Sequence, residues 1–217
     1  MTKQVTLAKG LKLDGVSIAL GNRILLAVDH EAAPGEVLTI MGPSGSGKST
    51  LLAYVGGFLD PAFRATGRVF VDGTELTALA PEDRHAGILF QDPLLFPHMS
   101  VNGNLLFAIP RAVRGKAERL SLATAALEGV GLAGLGERDP DTLSGGQKAR
   151  VALARVLLAE PRALLLDEPF SKLDADLRQQ IRMLVFAKAH EKGLPVLLVT
   201  HDEADAEAAG GAVLRIG

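Results

Sequence analysis

The sequence predicts an α/β fold in which helices cover both faces of a parallel sheet. Continuous apolar runs, typical of strands buried on both faces, occur at residues 37–41, 163–166 and 196–200. Segments of helical character follow them or lie between them, at residues 49–56 and 176–192. Strands that alternate with helices in this way form a parallel sheet with helices on both sides.

Composition limits the classes of protein to which the chain can belong. Its 217 residues, 47% of them hydrophobic, suit one domain with a buried core. The apolar runs are far shorter than the ~20 residues of a membrane span, and no basic start precedes an apolar stretch, so we expect a soluble chain without a secretion signal. With 0 cysteines, disulfides, thiolate zinc sites and cysteine nucleophiles are excluded. The net charge is −2, and acidic and basic residues are mixed along the sequence. No block of basic residues indicates nucleic-acid binding.

Two regions flank the central pattern. Before residue 37 we expect short strands, for example at residues 5–13 and 16–20, with a turn at Gly21-Asn22. Further strands are predicted at residues 68–71 and 87–90. After these strands, from about Leu94, the β-branched runs become rarer and helical spacing appears, which predicts a mainly helical insertion.

A glycine-rich stretch after the first buried strand has the pattern of a phosphate-binding loop. Glycines let consecutive backbone N–H groups turn inward around phosphate oxygens, and the start of the next helix adds its positive dipole end. In this pattern Lys48 reaches the β- and γ-phosphates and the Ser49 hydroxyl ligates Mg²⁺. A flexible glycine loop is the alternative, but the strand before it and the helix after it favour nucleotide binding. The predicted nucleotide-binding residues are Gly42, Pro43, Ser44, Gly45, Ser46, Gly47, Lys48, Ser49 and Thr50.

Two carboxylates end the apolar strand at residues 163–166. Ligands of open α/β sheets lie beyond the carboxyl ends of the strands, so Asp167 and Glu168 are expected to face the nucleotide. Asp167 suits the coordination shell of Mg²⁺, and Glu168 suits the base that polarises an attacking water. Two acidic residues at a strand end are often only part of a solvated turn. The phosphate-binding loop in the same sequence favours a role for this pair in nucleotide binding and hydrolysis.

A second helix start with exposed N–H groups follows at Ser144, Gly145 and Gly146. One nucleotide has no evident use for two phosphate cradles from one small domain. If this second cradle contacts phosphate, we expect it to serve the nucleotide of a neighbouring copy of the chain; the alternative is a glycine turn that caps a helix.

Together these motifs resemble the ATP-binding subunits of ABC transporters, and the resemblance covers nearly all of the chain. The phosphate-binding loop matches the Walker A motif, residues 143–147 match the signature, and residues 164–168 match Walker B. Gln91 matches the Q-loop glutamine, Asp174 lies in the D-loop, and His201 matches the switch histidine.

The resemblance implies a P-loop NTPase (RecA-like) core with an N-terminal antiparallel β region and an inserted α-helical subdomain. It predicts one ABC ATPase domain over residues 1–217, with the core at 1–93 and 159–217 and the helical subdomain at about 94–158.

The resemblance also implies roles for the site residues. Two copies would pair head to tail, with each ATP between Walker A of one copy and Ser144 to Gly146 of the other. His201 would hold the γ-phosphate and the attacking water, and Asp174 would sense the opposite site. The implied catalytic residues are Lys48, Glu168 and His201, and the implied Mg²⁺ ligands are Ser49, Gln91 and Asp167.

Residues 94–101, followed by Asn104, resemble importer subunits, in which this segment helps to form the groove for a coupling helix of the permease. The chain is also similar in its compact length to thiamine-type importers of small solutes. The expected partners are a second copy or a like subunit, transmembrane permease subunits and a periplasmic or extracellular solute-binding protein, with no nucleic acid. The expected location is cytoplasmic, on the inner face of the cell membrane. The alternatives are a soluble ABC ATPase that acts on nucleic acid or ribosomes, and the ATPase of a non-transporting membrane complex of the cell-division type.

One residue departs from the family pattern. The position before Gly21 is usually aromatic and stacks on adenine, but here it is Leu20. Leucine covers a base by apolar contact without a π-face, so we expect modest ATP affinity and weak discrimination against GTP.

Overall fold

A computed structural model describes residues 9–43 and 45–216. Within them, fifteen helices and strands of regular structure form two sheets and their covering helices. The strands are β1 (Leu11–Leu20), β2 (Arg23–Ala32), β3 (Val37–Met41), β4 (Phe63–Val71), β5 (Thr74–Glu75), β6 (Ala86–Leu89), β7 (Ala163–Asp167), β8 (Val196–Thr200) and β9 (Ala212–Arg215). The α-helices are α1 (Lys48–Gly56), α2 (Val101–Ala108), α3 (Lys116–Glu128), α4 (Gly145–Leu158), α5 (Ala175–Glu191) and α6 (Glu203–Ala209).

The first sheet is antiparallel, in the order β2-β1-β4-β5. The prediction of two separate strands at residues 5–13 and 16–20 is wrong, because a single strand, β1, runs without interruption from Leu11 to Leu20. Residues 5–8 lie outside the described residues. The strand contains a bulge near Gly15: this residue has a positive φ of 58°, and the register of β1 shifts there against both neighbouring strands. The predicted turn at Gly21-Asn22 is confirmed and joins β1 to β2.

The second sheet is parallel, in the order β6-β7-β8-β3-β9. Strands β3 and β8 are buried along their whole length, as their continuous apolar runs predict. The predicted α/β class is confirmed, and so is the parallel sheet. The prediction of strands at residues 68–71 and 87–90 is also confirmed, although β4 begins earlier, at Phe63, and β6 is shifted by one residue.

Alternate residues of the central strands enter two different cores. In β7, Ala163 and Leu165 pack with α1 and the antiparallel sheet, whereas Leu164 and Leu166 pack with helices α2 to α5. This follows from the two-residue period of a strand, which sends successive side chains to opposite faces. The parallel sheet is therefore a central layer with apolar packing on both faces.

The stretch from Leu94 to Leu158 contains α2, α3 and α4, which pack on one another around buried residues such as Leu105 and Leu153. Within the described ranges, no helix is both long and apolar enough to cross a membrane. The division of the chain into a core and a helical subdomain stays a prediction.

The parallel sheet also determines where the functional residues lie. Because its strands run in one direction, their carboxyl ends meet at one edge. The chain leaves β3 toward the glycine-rich loop, β6 toward Gln91, β7 toward Glu168 and β8 toward His201. Residues that are up to 159 positions apart in the sequence are thereby brought to one edge of the sheet.

Candidate functional site

The glycine-rich loop connects β3 to α1 at the edge of the parallel sheet. Gly45 and Gly47 have φ values of 80° and 91°, in the left-handed region that side chains with a Cβ disfavour. A Cβ on Gly42 would lie 2.3 Å from the carbonyl oxygen of Ile216, so this position needs glycine for close approach. Ser44 lies outside the described residues, and its predicted role stays untested.

Lys48 places a positive charge at this loop. Its side chain is only 5% exposed, and Nζ donates hydrogen bonds to the carbonyl oxygens of Gly42 (2.8 Å) and Pro43 (2.9 Å). These two neutral acceptors leave the charge without a carboxylate partner among the described residues. The Ser46 hydroxyl is buried and likewise has no hydrogen-bond partner in the described part of the chain. A buried cation and a buried hydroxyl are both stabilised by an anionic ligand with several acceptor oxygens.

A cleft of about 510 Å³, the phosphate-loop cleft, opens above this loop. Gly45, Gly47, Lys48, Ser49 and Thr50 line it from the loop and from the first turn of α1. The helix start has a glycine N-cap without a side-chain cap, which leaves the positive end of the α1 dipole directed toward an anion. Nucleotide phosphates match this combination of charge and geometry.

Asp167 and Ser49 meet where the first turn of α1 approaches the end of β7. The Ser49 hydroxyl donates a 2.8 Å hydrogen bond to Asp167 Oδ1. Burial raises the pKa of Asp167, and the hydrogen bond from Ser49 opposes this rise. A second cleft, which we call the carboxylate cleft, is lined by Ser49, Gln91, Asp167 and Glu168. The three predicted metal ligands therefore share one cavity.

Glu168 has a backbone conformation that its residue type rarely adopts. Its φ is 45°, and its amide is held by a 2.9 Å hydrogen bond to the Val199 carbonyl. Non-glycine residues in this region cost of order 1–3 kcal/mol and often occur at functional sites. Its carboxylate lies where both clefts meet, with Oε2 3.1 Å from His201 Nδ1. Two of the three predicted catalytic side chains are thus in direct contact.

His201 follows β8, and its side chain is 58% exposed. Hydrogen bonds on either side of it hold its backbone: Thr200 Oγ1 accepts from the Asp202 amide (3.1 Å), and Asp202 Oδ1 accepts from the Ala204 amide at the start of α6 (2.8 Å). The imidazole therefore projects from a rigid strand end and a capped helix start.

The predicted signature residues lie elsewhere. Ser144 is the N-cap of α4 and forms a capping box with Gln147, and Asp174 is the N-cap of α5. A Cβ on Gly146 would lie 2.4 Å from Leu177, so the starts of α4 and α5 pack tightly together. In the described residues, neither the phosphate-loop cleft nor the carboxylate cleft is lined by these groups. One copy of the chain does not bring them to the phosphate loop.

The departing residue, Leu20, does line the phosphate-loop cleft and is 47% exposed. Three residues that we did not predict from the sequence, Arg23, Leu25 and Phe63, line the same cleft. Arg23 has a local signal, because the two-residue turn at Gly21-Asn22 places it opposite Leu20. Phe63 has none, since its position depends on the pairing of β1 with β4.

Arg178, for which the sequence predicted no role, connects two predicted site segments. Its guanidinium donates to Asp202 Oδ2 (2.8 Å), next to His201, and to the Leu173 carbonyl (3.1 Å), next to Asp174. Arg178 thus ties the start of α5 to the segment that carries His201.

The chain is similar to known proteins both in sequence and in fold. The ABC transporter family matches residues 25–171 of the chain. The uncharacterized ABC transporter ATP-binding protein YnjD of Escherichia coli (strain K12) is 48% identical over 187 residues, which cover 86% of each protein. The thiamine import ATP-binding protein ThiQ of Cereibacter sphaeroides is 47% identical over 196 residues, which cover 90% of this chain and 83% of ThiQ.

Among solved structures, a dimeric post-hydrolysis state of the ATP-binding cassette MJ0796, bound to ADP and Pi, is similar with a TM-score of 0.76. It shares 32% sequence identity, and the match covers 95% of this chain and 94% of MJ0796.

Proposed function

This chain belongs to the ABC transporter family and is an ATP-binding, ATP-hydrolysing cassette, and from that premise we propose that it powers the import of a small solute through a separate membrane permease. The observation that carries the site assignment is the meeting of Lys48, the Ser49–Asp167 pair and the Glu168–His201 pair at one sheet edge. The relationship to a thiamine import protein supports the direction of transport.

In the proposed mechanism, Lys48 and the loop amides bind the β- and γ-phosphates of ATP. Glu168 Oε2 accepts the proton of the attacking water while the water oxygen bonds to the γ-phosphorus, and the bond from that phosphorus to the bridging oxygen breaks. ADP leaves with the electron pair of that bond. His201, whose Nδ1 lies 3.1 Å from Glu168 Oε2, would position this base and hold the γ-phosphate and the attacking water.

Mg²⁺ is the metal that this donor set fits. Ser49 supplies a hydroxyl, Asp167 a carboxylate and Gln91 an amide oxygen, all hard oxygen ligands around one open cleft. Mg²⁺ favours oxygen, and in nucleotide sites it takes one or two carboxylates together with phosphate and water. The ion would neutralise phosphate charge. The half-buried carboxylate of Asp167, which accepts the hydrogen bond from Ser49, would give it a protein anchor.

Two copies are needed to complete the proposed site. Ser144, Gly145 and Gly146 offer a second helix start, and they lie away from the phosphate-loop cleft of their own copy. A head-to-tail pair would bring them to the ATP of the other copy. The dimeric state of MJ0796, which contains ADP and Pi, supports the pairing of two copies.

The permease is the second proposed partner. Phe96 and Phe107 form an apolar surface on the predicted helical subdomain, with Phe107 66% exposed and its ring 5.0 Å from that of Phe96. This surface suits the coupling helix of a membrane subunit. The chain would then act on the cytoplasmic face of the cell membrane, with a solute-binding protein on the other side.

The Glu168→Gln variant tests the assigned chemistry. The amide keeps the shape of the side chain but cannot accept the proton from water, so ATP binding should persist while hydrolysis nearly stops. ATP should then hold two copies together, measured as an ATP-dependent dimer by size-exclusion chromatography. Glu203→Gln, on an exposed carboxylate of α6, is the control and should hydrolyse ATP normally. Normal turnover by Glu168→Gln would refute the role of this residue.

The dimer has its own test. Ser144→Arg should abolish hydrolysis and leave ATP binding by the monomer unchanged, because the serine acts on the other copy. Lys48→Ala should weaken binding in its own copy. A mixed dimer of the two variants keeps one intact composite site, so mixing should restore activity above that of either parent. Weak ATP binding by monomeric Ser144→Arg would contradict the head-to-tail arrangement.

The membrane partner is tested by isolation of the chain from membranes. Copurification of a multi-spanning membrane protein, lost when Phe107 is replaced by Glu, is the expected result. Purification with ribosomes or nucleic acid instead would contradict the transport proposal.

A further inference from the structure

Three side chains form a row across the antiparallel sheet at the mouth of the phosphate-loop cleft. Leu20 of β1 is paired directly with Arg23 of β2 on one side and with Phe63 of β4 on the other. Residues directly opposite each other on neighbouring strands share one face of a sheet. All three line the same cleft as Lys48 and Ser49.

The row contains the aromatic ring that Leu20 lacks. Phe63 is half-buried: it packs partly against the core cluster between the two sheets and also reaches the cleft. A ring held in this way loses little further freedom when a flat ligand lies against it. Leu20 is 47% exposed and leaves apolar surface beside the ring.

We propose that Phe63 supplies the stacking face for the base of the bound nucleotide and that Arg23 borders the edge of that base. The inference rests on the proposed function, since it places the base of the same nucleotide whose phosphates bind at Lys48. The cleft is lined both by this row and by the loop, so one ligand can span the two. Phe63 thus takes the place of the aromatic side chain that position 20 does not provide.

The composition of the row also determines selectivity. Arginine carries hydrogen-bond donors and no acceptor, and leucine and phenylalanine carry neither in their side chains. Guanine presents two neighbouring acceptors, O6 and N7, to such a donor pair, whereas adenine pairs its N7 acceptor with an N6 donor. None of the three side chains can accept from adenine N6. The row therefore binds purines by stacking and does not reject guanine.

Binding of three ligands to the full-length chain tests the inference: Mg·ATP, Mg·GTP and Mg·tripolyphosphate, each by calorimetric titration. Tripolyphosphate has phosphates but no base. Phe63→Leu should weaken ATP and GTP binding about fivefold to tenfold, as expected for the loss of one stacked ring, and leave tripolyphosphate binding unchanged. Phe63→Trp should preserve or tighten nucleotide binding, which also shows that position 63 tolerates substitution.

Phe70→Leu is the matched control. Phe70 lies on the same strand, is half-buried like Phe63, and contacts the Arg68 guanidinium 5.3 Å from its ring centre instead of the cleft. It should not change nucleotide affinity. Arg23→Leu should reduce GTP binding more than ATP binding.

The outcomes separate this inference from the proposed function. If the wild-type chain binds neither ATP nor tripolyphosphate, the proposed function fails. If it binds both but Phe63→Leu binds ATP as tightly as the wild type, only the role of Phe63 is overturned. If Phe63→Leu loses tripolyphosphate binding as well, the substitution disturbs the phosphate-binding loop, and the stacking role is again refuted.

Discussion

The ion pair between Arg182 of α5 and Asp205 of α6 should be among the most sensitive sites for the stability of the chain. Nη2 of Arg182 lies 2.6 Å from Asp205 Oδ1, and the two side chains are only 10% and 4% exposed. Since Oδ1 has no well-aligned hydrogen-bond partner among the described residues, the contact is an ion pair more than a hydrogen bond. The other oxygen, Oδ2, accepts a 3.0 Å hydrogen bond from Thr200, next to His201.

Arg182→Met removes the positive partner and leaves a buried carboxylate uncompensated. Breaking a buried pair in this way costs ~3–5 kcal/mol of unfolding free energy. For a chain of 217 residues each kcal/mol lowers Tm by roughly 2–4 °C, so we expect a Tm about 6–20 °C lower. The double variant Arg182→Met/Asp205→Leu should recover most of the loss, because it removes both charges and keeps apolar volume.

The assay is thermal and urea unfolding followed by circular dichroism, with Arg215→Met as the matched control. Arg215 pairs with Glu203, which also belongs to α6, but these two side chains are 64% and 69% exposed. Water already screens that pair, so its loss should hardly change Tm.

The pH dependence gives a second measurement on the same variant. Burial raises the pKa of Asp205, while Thr200 and the positive charge of Arg182 oppose the rise. Without Arg182 the folded-state pKa rises further above the unfolded value, so the folded state binds the proton more tightly. The contribution of Asp205 to the stability of Arg182→Met is then fully present below the unfolded-state pKa and is lost as pH rises through this raised pKa. Its deficit against the wild type should shrink as pH falls toward the ordinary aspartate value of 3.8.

Two results would refute the reasoning. A Tm loss no larger than that of the exposed control would mean that the pair is solvated in solution. A double variant as unstable as Arg182→Met would mean that packing, and not the orphaned charge, causes the loss.

Three further predictions concern the site. Leu20→Tyr should tighten ATP binding by up to about tenfold, ~1.4 kcal/mol, in competition titrations against GTP, because a second ring then faces the base. Gly146→Val should destabilise the chain by ~1–3 kcal/mol in thermal unfolding, because its Cβ would lie 2.4 Å from Leu177; alanine at the preceding glycine, which has open space, is the control. Arg155→Met should speed amide hydrogen exchange around Leu94, measured by mass spectrometry, because the guanidinium holds the Leu94 carbonyl at 2.8 Å beside the positive φ of that residue, 46°.

Local patterns in the sequence are sufficient to predict the strands of the parallel sheet and the phosphate-binding loop. The uninterrupted apolar runs of β3 and β8 already require burial on both faces. The glycines of the loop already permit the left-handed conformations found at Gly45 and Gly47. Once these strands lie in one parallel sheet, their carboxyl ends meet at the same edge, which brings Asp167 close to Ser49 although 118 positions separate them.

Other features depend on which distant segments pair, and only the tertiary structure decides these. The continuity of β1 through Gly15 comes from its pairing with strands on both sides, not from its own residues. Phe63 reaches the cleft because β4 pairs with β1 in a register that no local pattern specifies. The contacts of Arg178 are likewise made to backbone and carboxylate groups that only folding brings near. The sequence by itself therefore determines which chemistry the chain carries, and the pairing of distant strands and helices decides which side chains surround it.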